Sequence, residues 1–391
     1  LNYKEVSHKY IEEYKVDAKG LNIKKSTYNP KATENIDEIL NMVSSLVKQG
    51  FASPTQNGDV YFRTKKFRDY GELSHQSIED LKVGARIEAG DIKEDPLDFA
   101  LWKASKQGEP YWESPWGKGR PGWHIECSAM ATKYLGKTID IHCGGQDLIF
   151  PHHENEIAQS ECCNHVKFAN YWLHNGYINV DKKKMSKSLG NFFTVRDVSQ
   201  IYGYEPIRYL MISSHYRSPI NYSQEIMEQC KSALERLYNF RENLEFLIKK
   251  ESSSNITDGE SEKSIKECIK GYESKFYEAM DDDLNTADAL AAIFEIIKYV
   301  NKQIQNRTDF SRDLLRYVLN LFNELTGILG ILYNSADEGE TKEIENLITQ
   351  REEARKNKNW AEADRIRDLL KSKNIVLEDT ASGVKWRKNR N

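Results

Sequence analysis

Residues 182–190 read KKKMSKSLG. Lys184 and Lys187 flank Met185 and Ser186, and Ser188-Leu189-Gly190 follows. Flexible ammonium groups beside a glycine turn suit a polyphosphate whose charge grows during a reaction. A lysine-rich loop that is simply solvated explains the same letters. A second constellation has metal-ligand chemistry. Cys127 in WHIECSAM precedes His152 and Glu156 of PHHENEIA by 25 and 29 residues. Four residues apart, His152 and Glu156 share one face of a helix, whereas His153 points off that face. Thiolate, imidazole and carboxylate together suit zinc better than magnesium or calcium. The competing reading is a buried cysteine, a capping histidine and a surface glutamate. No fourth ligand is evident, and Cys162 and Cys163 stay open as candidates.

Three weaker signals accompany these. The double glycine of HCGGQD (Gly144, Gly145, then Asp147) lets backbone approach a ligand closely, or is a plain turn. Trp123 stands four residues before Cys127 and either fills a core or faces a ligand. Near the C-terminus, Arg355, Trp360 and Asp364 recur at near-helical spacing, and Asp379 follows. An indole that stacks a base, with arginine and aspartate reading its edges, suits unpaired RNA; an amphipathic helix with a packed tryptophan suits the same letters.

The elements that must position these groups follow from the apolar pattern. Ile36–Val47 has helical spacing with Thr33 as a cap, and Asn57-Gly58-Asp59 joins two short strands. Residues 95–123, rich in Pro, Gly and Trp, read as an irregular connection. From 119 to 180 strand-like and helical runs alternate, which points to an α/β core with ligands beyond the carboxyl ends of its strands. After 222 the apolar residues recur at helical spacing, as in a bundle. A small unit of two helices and a hairpin closes the chain. The expected divisions are 1–30, 31–118, 119–180, 181–221, 222–335 and 341–391.

At 391 residues, with 39% hydrophobic and 30% charged residues, the chain is a multi-domain globular protein. No apolar run is long enough to span a bilayer. A net charge of −4 argues against a general nucleic-acid coat but allows local basic sites. Six cysteines without framework spacing fit reduced thiols or metal ligands, hence a cytoplasmic setting.

With these residues in view, the chain resembles cysteinyl-tRNA synthetases, members of class I of the aminoacyl-tRNA synthetases, along its whole length. The resemblance rests on GRPGWHIECSAM, DIHCGGQDLIFPHHENEIAQSE, KMSKSLGNFFTVRDV, HYRSPINYS, MDDDLNTADAL and RKNKNWAEADRIRDLL with IVLED, in family order. It implies a Rossmann-like catalytic core followed by a helical bundle and a small anticodon-binding unit. It further implies activation of L-cysteine by ATP with Mg2+ and transfer to tRNA(Cys), by a monomer with no membrane partner. On this likeness Cys127, His152 and Glu156 hold zinc, with the substrate thiolate joining them, and Trp123 packs beside the cysteine. Lys184, Ser186 and Lys187 meet the phosphates, and Gly144, Gly145 and Asp147 the adenosine. Arg355, Trp360, Asp364 and Asp379 read the anticodon.

Two departures stand out. Cys143 occupies a position where bacterial members often carry glycine. The family's first ligand cysteine and its His-Ile-Gly-His motif have no counterpart here, so the expectation is that this polypeptide alone is a weak catalyst. Two other readings compete: a zinc-dependent cysteine ligase of thiol biosynthesis, which would not need the C-terminal unit, and a non-catalytic tRNA-binding fragment.

Overall fold

Helix α1 (Tyr3–Gly20) opens the chain with a capping box, in which the Asn2 carboxamide accepts the Glu5 N–H, yet it buries none of its own residues. By contact it belongs with Ile178–Asn391, while Lys25–Tyr177 forms a separate unit. The computed structural model describes residues 2–76, 93–185, 190–250, 260–306, 310–334, 338–380 and 383–388.

In Lys25–Tyr177 the apolar spacing at 36–47 builds α2 (Ile36–Lys48), which buries Ile39, Met42, Val43 and Leu46. Its N-cap is Asn35 rather than Thr33, which sits in a short 3-10 turn. The Asn35 side-chain oxygen makes no cap; it accepts from Lys133 Nζ and Tyr134 OH at 2.8 and 3.2 Å. Strands β1 (Ala52–Pro54) and β2 (Val60–Phe62) pair across the expected Asn57-Gly58-Asp59 hairpin. The supposedly irregular stretch contributes β3 (Phe99–Ala104) and β4 (Gly119–Pro121), which complete an antiparallel sheet in the order β1-β2-β3-β4. The neighbours Leu101 and Trp102 of β3 are both fully buried, so the strand lacks the alternation that marks a half-buried one.

Next come α3 (Trp123–Leu135), β5 (Ile139–Gly145), a kinked segment at Ile149–His153 in which Phe150 is extended, α4 (Glu154–Asn164) and β6 (Ala169–Asn175). Strands β5 and β6 are parallel, as a helical crossover requires. Helix α4 buries Glu154, Asn155, Glu156, Gln159 and Ser160, an unusual load of polar groups. Part of that load is satisfied locally. Glu154 accepts the N–H groups of Gly71 and Ser74, each at 2.9 Å.

The other unit carries a three-stranded sheet of β7 (Ile178–Val180), β8 (Lys183–Lys184) and β9 (Ile220–Tyr222), in the order β8-β7-β9. Two short helices, α5 (Val195–Tyr202) and α6 (Tyr204–Ile212), lead to the bundle of α7 (Gln224–Lys250), α8 (Glu260–Asp281), α9 (Thr286–Asn306) and α10 (Arg312–Leu329). The bundle is apolar at its centre, with Leu237, Leu244, Ile269, Phe276, Ile293, Phe322 and Leu325 buried. Arg208 of α6 closes the end of α10 by donating to the Leu329 carbonyl, and it also donates to the Leu21 carbonyl after α1. A Cβ at Gly330, whose φ is +66°, would collide with that guanidinium. Helices α11 (Glu338–Lys356) and α12 (Trp360–Ser372) and the hairpin of β10 (Ile375–Thr380) with β11 (Gly383–Lys388) enclose a small core of Ile344, Ile348, Ile366, Leu370 and Ile375.

Buried Glu262 of α8 organises the start of α10: Ser311 donates its N–H and its hydroxyl to the two carboxylate oxygens at 2.8 and 2.7 Å. Ser311 Oγ in turn accepts the Leu314 N–H. Replacing Glu262 by Ala strands those donors, so the substitution is expected to lower unfolding stability by about 1–3 kcal/mol. Urea titration of the variant checks this; an unchanged midpoint would count against it.

Candidate functional site

The end of β5, the kinked segment that follows it and the first turn of α4 deliver the site of Lys25–Tyr177, and the glycines expected to form a turn are the last two residues of the strand. Donor atoms of Cys127, His152 and Glu156 lie within 4.8 Å of one another. Cys127 comes from α3, so the 25-residue gap is closed by the strand and turns between α3 and α4. His152 Nε2 is 3.7 Å from Glu156 Oε2. Its other nitrogen, Nδ1, shares a hydrogen bond of 2.9 Å with His124 Nδ1, which fixes the ring and leaves Nε2 for a ligand.

Glu156 is fully buried. His142 Nε2 donates to Oε2 at 2.9 Å, while Oε1 has no hydrogen-bond partner among the described residues. Burial pushes the Cys127 thiol up to about 12, with the Glu156 and Glu126 carboxylates adding to the shift. Burial also holds His152 below the ordinary histidine value, against the pull of Glu156. A sealed carboxylate with an orphaned oxygen, a neutral imidazole and a thiol, all pointing at one place, is a donor set that fits a zinc ion.

Three features were not foreseen. His153 does not point away: its Nε2 is 3.9 Å from Glu156 Oε2, because residues three apart also share a helix face. His124, His142 and His174 join His152 and His153, so five of the nine histidines gather here. His153 Nδ1 and His174 Nε2 share a hydrogen bond of 2.8 Å. Burial drives His124 and His153 down to about 3, so both rings stay neutral at ordinary pH. The third concerns Cys162, which lies buried in the apolar core with Ile39 and Leu46 rather than at the site.

Trp123 is 58% exposed, and its ring centroid lies 4.4 Å from that of His152. It therefore walls the site instead of filling a core. Gly144 permits a close approach, though to the protein itself: a Cβ there would fall 2.6 Å from His153 Cε1. Gly145 ends β5, and Asp147 is exposed in the 3-10 turn that follows. In the other unit, the backbone of Lys184 pairs with Asn179 in the β7–β8 hairpin. Ser186 and Lys187 lie outside the described residues. In the terminal unit Arg355 and Trp360 are exposed, Trp360 at 59%. Asp364 pairs with Arg367 at 2.9 Å, and Asp379 faces Val384 in the β10–β11 ladder.

Three family models match the chain. Residues 1–232 match the family described as tRNA synthetases class I (C) catalytic domain, 275–333 the DALR domain, and 337–387 the cysteinyl-tRNA ligase anticodon binding domain. The chain is 53% identical to a cysteine–tRNA ligase of Clostridioides difficile over 384 residues, covering 98% of this chain and 82% of that protein. It is 51% identical to the one of Caldicellulosiruptor saccharolyticus over 383 residues, 97% and 81% respectively. In fold it is similar to Mycobacterium tuberculosis methionyl-tRNA synthetase in complex with methionyl-adenylate. The TM-score there is 0.60 at 14% identity, over 84% of this chain and 78% of that one.

The burial differences among the thiols have a direct chemical readout. In chelator-treated protein at pH 8, iodoacetamide is expected to modify the exposed Cys143 and Cys268 and to spare Cys127. Peptide mapping by mass spectrometry checks this; rapid labelling of Cys127 would contradict the burial described.

Proposed function

Because the chain belongs to the cysteinyl-tRNA synthetase family, we propose how its own residues activate cysteine with ATP and pass it to tRNA(Cys). The convergence of Cys127, His152 and Glu156 on one place carries the reading. A bound zinc ion would supply a Lewis-acidic centre that accepts a thiolate far better than a hydroxyl, which separates cysteine from serine without editing. Cys127, His152 and Glu156 are the residues that would hold it. His142 and His124 orient the carboxylate and the imidazole, and Trp123 shields the place where the cysteine side chain enters.

Activation joins the cysteine carboxylate to the α-phosphorus of ATP while the bond to pyrophosphate breaks. No side-chain nucleophile is needed; the demand is alignment and neutralisation of growing phosphate charge. Lys184 and Lys187 carry that charge, Ser186 donates to the phosphates, and Mg2+ accompanies ATP. Gly144, Gly145 and Asp147 border the adenosine. A tRNA hydroxyl then takes the cysteinyl group and AMP leaves. Arg355, Trp360, Asp364 and Asp379 read the anticodon, and the exposed indole of Trp360 supports stacking on a base. The anticodon-binding match at 337–387 favours this over a cysteine ligase of thiol biosynthesis.

The metal reading is tested by proton release. Between the lowered value of His152 and the value of about 12 for Cys127, the imidazole is already neutral and the thiol still protonated. Binding of zinc at pH 7–8 is therefore expected to displace about one proton per ion, and the apparent affinity to rise about tenfold per pH unit. Calorimetry in buffers of different ionisation enthalpy measures this. Cys127→Ala should lose both the ion and the proton; a pH-independent affinity would exclude the thiol as a ligand. In the terminal unit, Trp360→Ala is expected to weaken tRNA binding by about 1–3 kcal/mol. ATP–pyrophosphate exchange should stay at the parent rate, and filter binding beside exchange assays separates the two.

A further inference from the structure

The β7–β8 hairpin that presents Lys183 and Lys184 turns through Asp181 and Lys182, with φ of +48° and +63°. A two-residue turn with both central residues left-handed matches the twist of the strands, and it normally calls for Asn-Gly, Asp-Gly or Gly-Gly. Asp181 suits the first position, but Lys182 stands where glycine is preferred, so something outside the hairpin must hold the turn. Asn221 of β9 does so: its Oδ1 accepts the Lys182 N–H at 2.7 Å, and the Tyr222 carbonyl accepts the Asp181 N–H at 3.1 Å.

Strand β9 is itself held from the bundle. In the segment leading into it, His215, Tyr216 and Arg217 converge on the single carboxylate of Asp283, in the turn between α8 and α9. Tyr216 donates its hydroxyl to Oδ1 at 2.8 Å, Arg217 Nη2 lies 2.6 Å from Oδ2, and His215 Nε2 lies 3.7 Å from it. Asp283 and Leu284 are again consecutive left-handed residues without glycine, both at φ +56°. Backbone bonds from Leu284 to Met280 and from Asn285 to Ala279 lock that conformation.

We propose that Asn221 and Asp283 are positioning residues for cysteine activation: Asp283 fixes the start of β9, and Asn221 on β9 props the left-handed turn that aims the lysine-bearing hairpin. This rests on the reading of Lys184 and Lys187 as the groups that meet the ATP phosphates. Neither Asn221 nor Asp283 touches a reacting atom. Their effect is on alignment, where a displacement of about an ångström costs roughly 100-fold in rate.

The test uses the full-length enzyme with Asn221→Ala, Asn221→Asp, Asp283→Ala, the Asn221→Ala/Asp283→Ala double variant and Lys187→Ala. ATP–pyrophosphate exchange and amide hydrogen exchange are both read. Asn221→Ala is expected to lower kcat for exchange about 10- to 100-fold with the KM for cysteine unchanged. The Lys182 amide should exchange faster in the same variant. Asn221→Asp retains an oxygen acceptor and should restore most of both. Asp283→Ala should loosen residues 181–184 and 220–222 together, and the double variant should fall short of the product of the single losses because the two lie on one path. Parent-like kcat in Asn221→Ala, a loss that Asp does not restore, or a hairpin equally protected in Asp283→Ala would each overturn the proposal. Parent-like exchange in Lys187→Ala would instead sink the assignment of the lysines, and with it the catalytic meaning of the props.

Discussion

A carboxylate sealed from water governs the unit Lys25–Tyr177. Glu156 is fully buried, and one of its oxygens has no hydrogen-bond partner among the described residues. An isolated anion in such a place is costly, and proteins tolerate it where a cation or a set of donors compensates. Here the surroundings are the His142 ring that donates to it, the His152 and His153 rings, both held below the ordinary histidine value by burial, and the Cys127 thiol. Much of the local architecture serves this carboxylate: the three- and four-residue steps that set His153 and His152 beside Glu156, the polar load of α4, and the parallel pairing of β5 with β6.

The other unit solves a different problem, that of aiming a short basic hairpin. Its sheet has only three strands, and β8 is two residues long. Ladder bonds alone cannot fix so small an element, since two-stranded ribbons are marginal without further packing. Contacts from β9 to the hairpin's backbone supply the missing rigidity, with Asn221 Oδ1 accepting the Lys182 N–H and the Tyr222 carbonyl the Asp181 N–H. Elsewhere in the unit, Arg208 gathers the end of α10 and the segment after α1, and Arg196 pairs with Asp17 of α1 at 2.7 Å. Such contacts also explain how α1 stays attached while burying none of its residues.

Much of this was legible in the sequence, for physical reasons that differ by element. Helix α2 was legible because its apolar residues repeat every three to four positions and all face one core. The bundle was legible on the same ground. Strands β3 and β4 were not, since the fully buried pair Leu101–Trp102 breaks the period of two and prolines and glycines surround it. Cys127, His152 and Glu156 were legible as candidates through residue type and the four-residue step. The remaining histidines were silent, because His124, His142 and His174 each stand alone in the chain. The register of β5 on β6, which sets His142 across from Trp172 and Gly144 across from His174, brings two of them together, and the packing of α3 brings His124 to His152. Thr33 misled as a cap because nothing local reveals that the Asn35 oxygen is occupied by Lys133 and Tyr134.

Adjacent positions in β5 live under opposite evolutionary rules. At 144 the His153 ring leaves no room for a side chain, so natural drift there is barred at the first added carbon. At 143 the side chain is exposed, so the cysteine there makes little demand on packing. A lineage can therefore explore new surface chemistry one residue away from a centre it must leave untouched.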